Sequence, residues 1–213
     1  ALTPNAITYC KASEFVSTNG EACEPTGATM IFIECYFHDS VRGILAVSDP
    51  FGVYYCIFDN LSTVAIDIGT GNNTNQQIIG NTFYGAETPA GTGLDLGSAS
   101  TSVLIYNNIF YGFTTALTRD TSSILIFSDY NDFFNNTTNR TNVSTGANDQ
   151  ALDPTFTNAG AGDFSIGTNL KALGFPGAFP GGLSTGYTDI GAVQRQEPAG
   201  GGGGGGARRW WQG

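Results

Sequence analysis

The sequence predicts an all-β solenoid in which one short strand–corner–strand unit is copied along the chain and each copy stacks on the last. Three observations carry this. In residues 102–119, SVLIYNNIFYGFTTALTR, Val103 and Ile105 alternate with Leu104 and Tyr106 as a strand does, Asn107 and Asn108 break the run, and Phe110 resumes it out of phase. An Asn pair between two β-rich runs reads as a tight corner, because Asn tolerates the left-handed conformation of a short bend. Second, aligning the chain on Asn108 finds the same grammar at Cys35, Cys56, Asn81 and Asn131, with Cys10 as a weaker first member, and successive corners lie 25, 21, 25, 27 and 23 residues apart. A period in the twenties with one supersecondary unit per repeat signals a solenoid. Third, 30 Gly and only 12% charged residues leave little of what long helices need.

Taken in order, residues 1–28 are an irregular segment or a first rung, with AITYC at 6–10 as a strand and a loop at 19–27 holding Cys23. The chain begins at Ala1, partway into this rung, as expected of a processed product or a fragment. From Thr29 the repeats take over and run to residue 148. Met30 and Phe32 face inward, Glu34 and Cys35 turn, and Phe37 faces inward again before a strand at 43–47; Phe51, Val53, Cys56 and Phe58 repeat the pattern. Residues 86–91 read as an insertion that protrudes from one face, and the rung at 124–134 decays into a polar run at 135–148. Residues 149–196 read as the closing region, and 197–213 as a Gly-rich tail.

Each corner is followed two residues later by Phe: Phe37, Phe58, Phe83, Phe110 and Phe133. A second column stands three residues before each corner: Ile7, Phe32, Val53, Ile78, Ile105 and Ser128. Five Phe in register would stack internally and contribute about 2 kcal/mol apiece. The Asn column can pass amide hydrogen bonds from rung to rung, satisfying the polar groups that a corner buries. Cys10, Cys35 and Cys56 in one register would lie about 4.8 Å apart, which fits either a disulfide or buried thiols where later rungs use Asn.

The repeated (V/I)-x-(I/V)-x-N-N-x-F corner resembles that of the right-handed parallel β-helix proteins of the pectate-lyase-like group, with their Asn ladder. DPTF at 153–156, GDFSI at 162–166 and DIGAVQ at 189–194 resemble the DPxF, GDFxL and DIGAxQ elements that finish the coil in many bacterial and phage β-helix proteins. Residues 170–174 are LKALG where those proteins usually have Ser-Pro-Ala, which leaves the local turn open. The resemblance spans residues 29–194. It implies a right-handed parallel β-helix, and a group that includes lyases, glycoside hydrolases, adhesins and virion appendages, many of them trimers.

Composition narrows the function classes. A net charge of -10 argues against nucleic acid or an anionic membrane as partner. No run of 18 apolar residues stands in the sequence, so no membrane insertion is expected. A lyase needs an Arg or Lys base beside carboxylates, and the rungs from Thr29 to Phe134 hold only Arg42 and Arg119, neither beside an Asp cluster. A glycosidase needs two or three carboxylates converging in one cleft. The outward positions after the corners are His38, Asp59, Tyr84, Tyr111 and Phe134: the first two form either an acid/base pair or a solvated surface pair, and the aromatics either a sugar-stacking platform or a protein interface. Tyr36 and Tyr106 are placed on adjacent outward columns. Asp67, Asp95, Asp129 and Asp132 are placed on different columns, so neither a metal nor a cofactor is expected.

The tail runs through seven consecutive Gly at 200–206 to Arg208, Arg209, Trp210 and Trp211. Seven Gly hold no shape alone, whereas Trp and Arg dominate interface hot spots, so the tail reads as a tether ending in a docking peptide for another protein subunit. The expectation is a non-enzymatic structural or glycan-binding β-helix, extracellular or on a virion, with a polysaccharide lyase or hydrolase as the alternative.

Overall fold

A computed structural model describes residues 7–25, 29–46, 50–69, 75–86, 88, 90–97, 102–120, 125–175 and 189–194. The chain is a parallel β-solenoid of about five turns. The first rung holds β1 (Ile7–Lys11), β2 (Glu14–Val16) and β3 (Glu21–Cys23), and the next two hold β4 (Thr29–Ile33), β5 (Tyr36–Ala46), β6 (Phe51–Tyr54) and β7 (Ile57–Ile68). There follow β8 (Gln76–Ile79), β9 (Thr82–Tyr84) and β10 (Thr92–Asp95); then β11 (Ser102–Tyr106), β12 (Ile109–Tyr111) and β13 (Thr115–Thr118); then β14 (Leu125–Asp129), β15 (Asp132–Phe134) and β16 (Thr138–Thr141). One sheet runs β1-β4-β6-β8-β11-β14. The other carries two rows, because β5 and β7 run unbroken through a second bend, at Ser40 to Arg42 in β5, that later rungs interrupt.

At the first corner the chain turns through a left-handed residue: Ala12, Glu34, Tyr55, Gly80, Asn107 and Tyr130 have φ between 48° and 68°. Most of these are not the Gly or Asn that such backbone favours, so the corner is held by the residue that follows. Asn81 N–H and Nδ2 both donate to Asn108 Oδ1, at 2.9 and 3.0 Å, and Asn108 makes the same pair to Asn131 Oδ1, at 3.1 and 2.9 Å. Each Nδ2 also donates to a carbonyl of the preceding rung, Val53, Ile78 or Ile105. Upstream, Cys56 N–H donates to Asn81 Oδ1 and Cys35 N–H to Cys56 Sγ. All four cysteines are free thiols.

Inside, Phe37, Phe58, Phe83 and Phe110 stack with centroids 4.7–4.8 Å apart and planes within 11°, and Phe133 follows at 5.0 Å. The spacing is that of the strands themselves. Full face-to-face contact would be nearer about 3.5 Å, so the rings are offset, as their quadrupoles prefer. Ile44, Ile66, Leu94 and Leu117 form a parallel column with no exposure.

Two sequence expectations are corrected at the ends. Cys10 is not the first corner: it pairs with Phe32, in the column that Val53, Ile78 and Ile105 continue, so Cys10 and not Ile7 belongs there. The corner is Ala12 and Ser13, and Phe15 heads the aromatic column, 4.7 Å above Phe37. Residues 7–23 thus form a regular first rung. At the other end the core is closed earlier than the DPxF-to-DIGAxQ reading places it. Arg140, in register below Leu117, lies 3.8 Å over the Phe133 ring and pairs with Asp149, whose Oδ1 in turn accepts the Asn131 N–H. A charged group thus ends the apolar column while its own charge is met.

Beyond this closure, residues 153–175 and 189–194 form no strand of either sheet. Residues 162–166 leave a short 3-10 turn, Ala159–Ala161, through a bridge between Asn158 and Asp163. The DIGAVQ stretch is a turn folded on itself, with Gln194 donating to Asp189 and Gly191 carbonyls and accepting the Asp189 N–H. Gly191 sits at φ 106°, and a Cβ there would meet Ile109 at 2.6 Å, so only Gly lets this turn lie against the sheet. Where the coil hands over to this segment, Asp132 is fully buried with one carboxyl oxygen accepting the Leu152 N–H; burial, with Asp153 and Asp149 nearby, raises it to about 7.

Phe110 has ring neighbours on both sides and no exposure. Phe110→Ala should therefore destabilise the fold by about 3–5 kcal/mol in chemical denaturation, by leaving a cavity inside the column. A loss under about 1 kcal/mol would show that the ring is not enclosed.

Candidate functional site

Because side chains alternate across a strand, the residues flanking each stacked Phe face outward. Their register makes one stripe of His38, Asp59, Tyr84, Tyr111 and Phe134 and another of Glu14, Tyr36, Ile57, Thr82, Ile109 and Asp132. The five expected site residues therefore share one column, but the chain divides them. Its own downstream segment lies over the lower half: Phe156 and Phe164 meet the Tyr84 ring edge-on at 5.9 and 5.4 Å, Phe156 meets Tyr111 at 5.7 Å, and Leu170 and Ile190 pack on Ile109. Ala192 N–H donates to Thr82 Oγ1 at 3.0 Å and Gly191 N–H to the Asn107 carbonyl at 2.8 Å, tying the cover down. Tyr111 keeps 9% of its surface, and Phe134 is half-buried. The open aromatic platform expected from the sequence is a covered interface within one chain, because nearby apolar side chains bury it more effectively than water can wet it.

The upper half stays open as a groove of about 720 Å³, lined by Glu14, Tyr36, His38, Asp39, Asp59, Asn60 and Tyr84 and walled by Gly85, Ala86 and residues 159–162. His38 does not pair with Asp59, its neighbour in register. Its Nδ1 lies 2.8 Å from Asp39 Oδ2 and its Nε2 2.7 Å from Glu14 Oε1, while Asp59 Oδ2 accepts the Tyr36 hydroxyl at 2.7 Å. The Tyr36 and His38 rings stack at 4.3 Å. Burial alone would lower the imidazole pKa, but the hydrogen bonds to Asp39 and Glu14 outweigh it and raise it. His38 and then Asn60 hold Asp39 below the usual carboxylate range, whereas burial raises Asp59 against the Tyr36 hydrogen bond. Three carboxylates thus converge on one groove, which the column reading of the sequence does not anticipate. Glu14 escapes it because the first corner lies three residues later than Cys10, and Asp39 because it leaves the strand pattern at φ 49°.

Other expected residues fall elsewhere. Tyr106 belongs to the opposite sheet, with Tyr9 and Tyr54 along a second groove of about 490 Å³, and not beside Tyr36. Asp67 and Asp95 are register partners in one column and not on separate ones, with Arg42 Nε 3.3 Å from Asp67. Among the described residues, no group of three or more His, Cys, Asp or Glu is arranged to hold a metal ion, and no helix is long and apolar enough to cross a membrane. Arg208, Arg209, Trp210 and Trp211 lie outside the described residues. Comparison with protein-family models and with curated proteins finds no match for this chain.

The chain's single histidine makes the groove's electrostatics directly readable. The His38 imidazole should titrate by NMR above about 6.5, its ordinary value, and Glu14→Gln should bring it down. A raised folded-state pKa favours folding below the unfolded value and loses that contribution as pH rises through the folded one. The melting difference between wild type and Glu14→Gln should accordingly be larger at pH 5.5 than at pH 8. A His38 midpoint at or below the ordinary value would contradict the two hydrogen bonds.

Proposed function

We propose that this chain is a non-enzymatic, glycan-binding module of an extracellular surface protein or virion appendage, binding sugar in the groove between His38, Asp59 and Tyr84. The observation that carries it is the groove itself: an open trough beside a partly covered aromatic, with carboxylates and the Tyr36 hydroxyl fixed in place by protein hydrogen bonds. Sugar recognition needs apolar contact with a few oriented polar groups, and this is such a set. Asp39 already accepts a hydrogen bond from Asn60 and Asp59 one from the Tyr36 hydroxyl, and Glu14 is engaged by His38 Nε2, which suits holding a ligand better than taking its proton.

The wider reading is that the coil is a right-handed parallel β-helix of the pectate-lyase-like kind, with the Asn and Cys corner ladder and Phe stack as its internal frame. It divides into a first rung over 1–28, rungs over 29–148, a closing region over 149–196 and a tether over 197–213. The tether's Arg208, Arg209, Trp210 and Trp211 join it to other subunits, in a homo-oligomer that includes the trimer as an arrangement. The cover over Tyr84 and Tyr111 gives the closing region a second role, as one wall of the site.

Glycoside hydrolysis is the second reading, and one observation favours it. Asp59 is raised and Asp39 lowered within one groove, and two carboxyls pushed apart in this way can serve as acid and base. One experiment separates the two. On a polysaccharide panel, the binding reading expects at least one ligand retained with no reducing or unsaturated sugar released. Tyr84→Ala and Asp59→Asn should each weaken that binding about tenfold. Release of sugar that Asp59→Asn abolishes would establish the enzyme instead. Tyr111→Ala is not a useful probe, because its ring is packed inside the molecule.

A further inference from the structure

We propose that the groove takes a sugar bearing a protonated amine and turns acidic glycans away; this rests on reading the groove as a glycan site. Glu14, Asp39 and Asp59 bring three carboxylates to it, and His38, when protonated, one compensating positive charge. No Lys or Arg lines it among the described residues. The trough is thus a place of negative potential on a molecule whose net charge is already -10. A uronate or sulfate group would enter beside three carboxylates, and the one imidazole that could receive it already has both ring nitrogens on Asp39 and Glu14. A protonated amine would meet acceptors that are already fixed, and so would lose little of its gain in ordering them.

Shape points the same way. The wall of Gly85, Ala86 and residues 159–162 contributes no side chain larger than a methyl, so a pyranose ring has room to approach the Tyr84 edge. Glu14 and Asp39 stand 64% and 56% exposed, so their outer lone pairs face the solvent from which a ligand arrives. Asp59 lies deeper, with its oxygen aligned by the Tyr36 hydroxyl. This arrangement distinguishes a free amine from its acetylated form, since acetylation removes the charge and leaves the ring unchanged.

The test is calorimetric titration of the full chain at pH 6 with three tetramers: β-1,4-linked glucosamine, its fully N-acetylated counterpart, and galacturonic acid. The glucosamine tetramer should bind about tenfold more tightly than the acetylated one, and the galacturonate tetramer should not bind. The preference should shrink several-fold at high salt, because exposed charges are screened beyond about 4–5 Å at 0.5 M. It should also shrink in an Asp39→Asn, Asp59→Asn double variant whose melting profile shows it folded. Equal binding of the amine and acetylated tetramers overturns the inference while the glycan site stands. So does galacturonate binding as tightly as glucosamine, or a preference unchanged in the double variant. Failure of all three tetramers to bind, together with failure of the polysaccharide panel, removes the glycan site and this inference with it.

Discussion

Each rung must bury a corner whose backbone N–H points away from water, and the rest of the structure depends on how that donor is satisfied. An unmatched buried N–H costs on the order of 1–3 kcal/mol, and a solenoid repeats the problem once per turn. Here the side chain at the corner of the next rung accepts it: Asn108 for Asn81, Asn131 for Asn108, and Asp149 for Asn131. Because the acceptor is one strand spacing away, the bond forms in a single register. That register sets Phe83 on Phe110 and Leu94 on Leu117, so polar and apolar columns specify one another. A slip by one residue would turn the Phe column to solvent and leave the corner donors unmet.

The same register builds the outer face, and the way the chain disposes of that face decides where a ligand can sit. Rungs carrying Ile109, Tyr111 and Phe134 present more apolar surface than a sheet leaves in water, and residues 153–194 include the segment that covers it. The first two rungs carry Glu14, Tyr36, His38 and Asp39, which need no cover. The boundary falls at Tyr84, packed by Phe156 and Phe164 on one side and lining the groove on the other. Polar outward residues near the start of the coil and apolar ones near its end thus translate into an open site beside a closed one.

Much of the coil is legible in the sequence from Thr29 onward, because Asn at the corner and Phe two places later are both required by the same geometry. The first rung is harder to read. Its corner uses Ala12 and Ser13, neither of which announces a buried acceptor, while Cys10 imitates the Cys35 and Cys56 corners from a position three residues early. That slip also conceals Glu14. The cover escapes sequence reading for a different reason: DPTF, GDFSI and DIGAVQ read as elements that finish the coil, but they fold laterally, Phe156 and Phe164 against Tyr84 and the DIGAVQ turn against Asn107 and Thr82, the last of these 110 residues back in the chain from Ala192. Periodicity encodes contacts between neighbouring rungs, and these contacts are not periodic. Arg140 is a further case: its position below Leu117 follows from register, but only the partner Asp149 explains how a charge can end an apolar column.

Amide hydrogen exchange, resolved by residue, tests the central claim most directly. If side-chain acceptors hold the corners, the N–H groups of Cys56, Asn81, Asn108 and Asn131 will exchange as slowly as the innermost strand amides, through global unfolding. Asn108→Ala will then speed exchange at Asn81, whose acceptor it removes, more than at Cys56, which keeps its own. Corner amides that exchange like exposed loops, or an Asn108→Ala variant that leaves Asn81 as protected as before, would contradict the account.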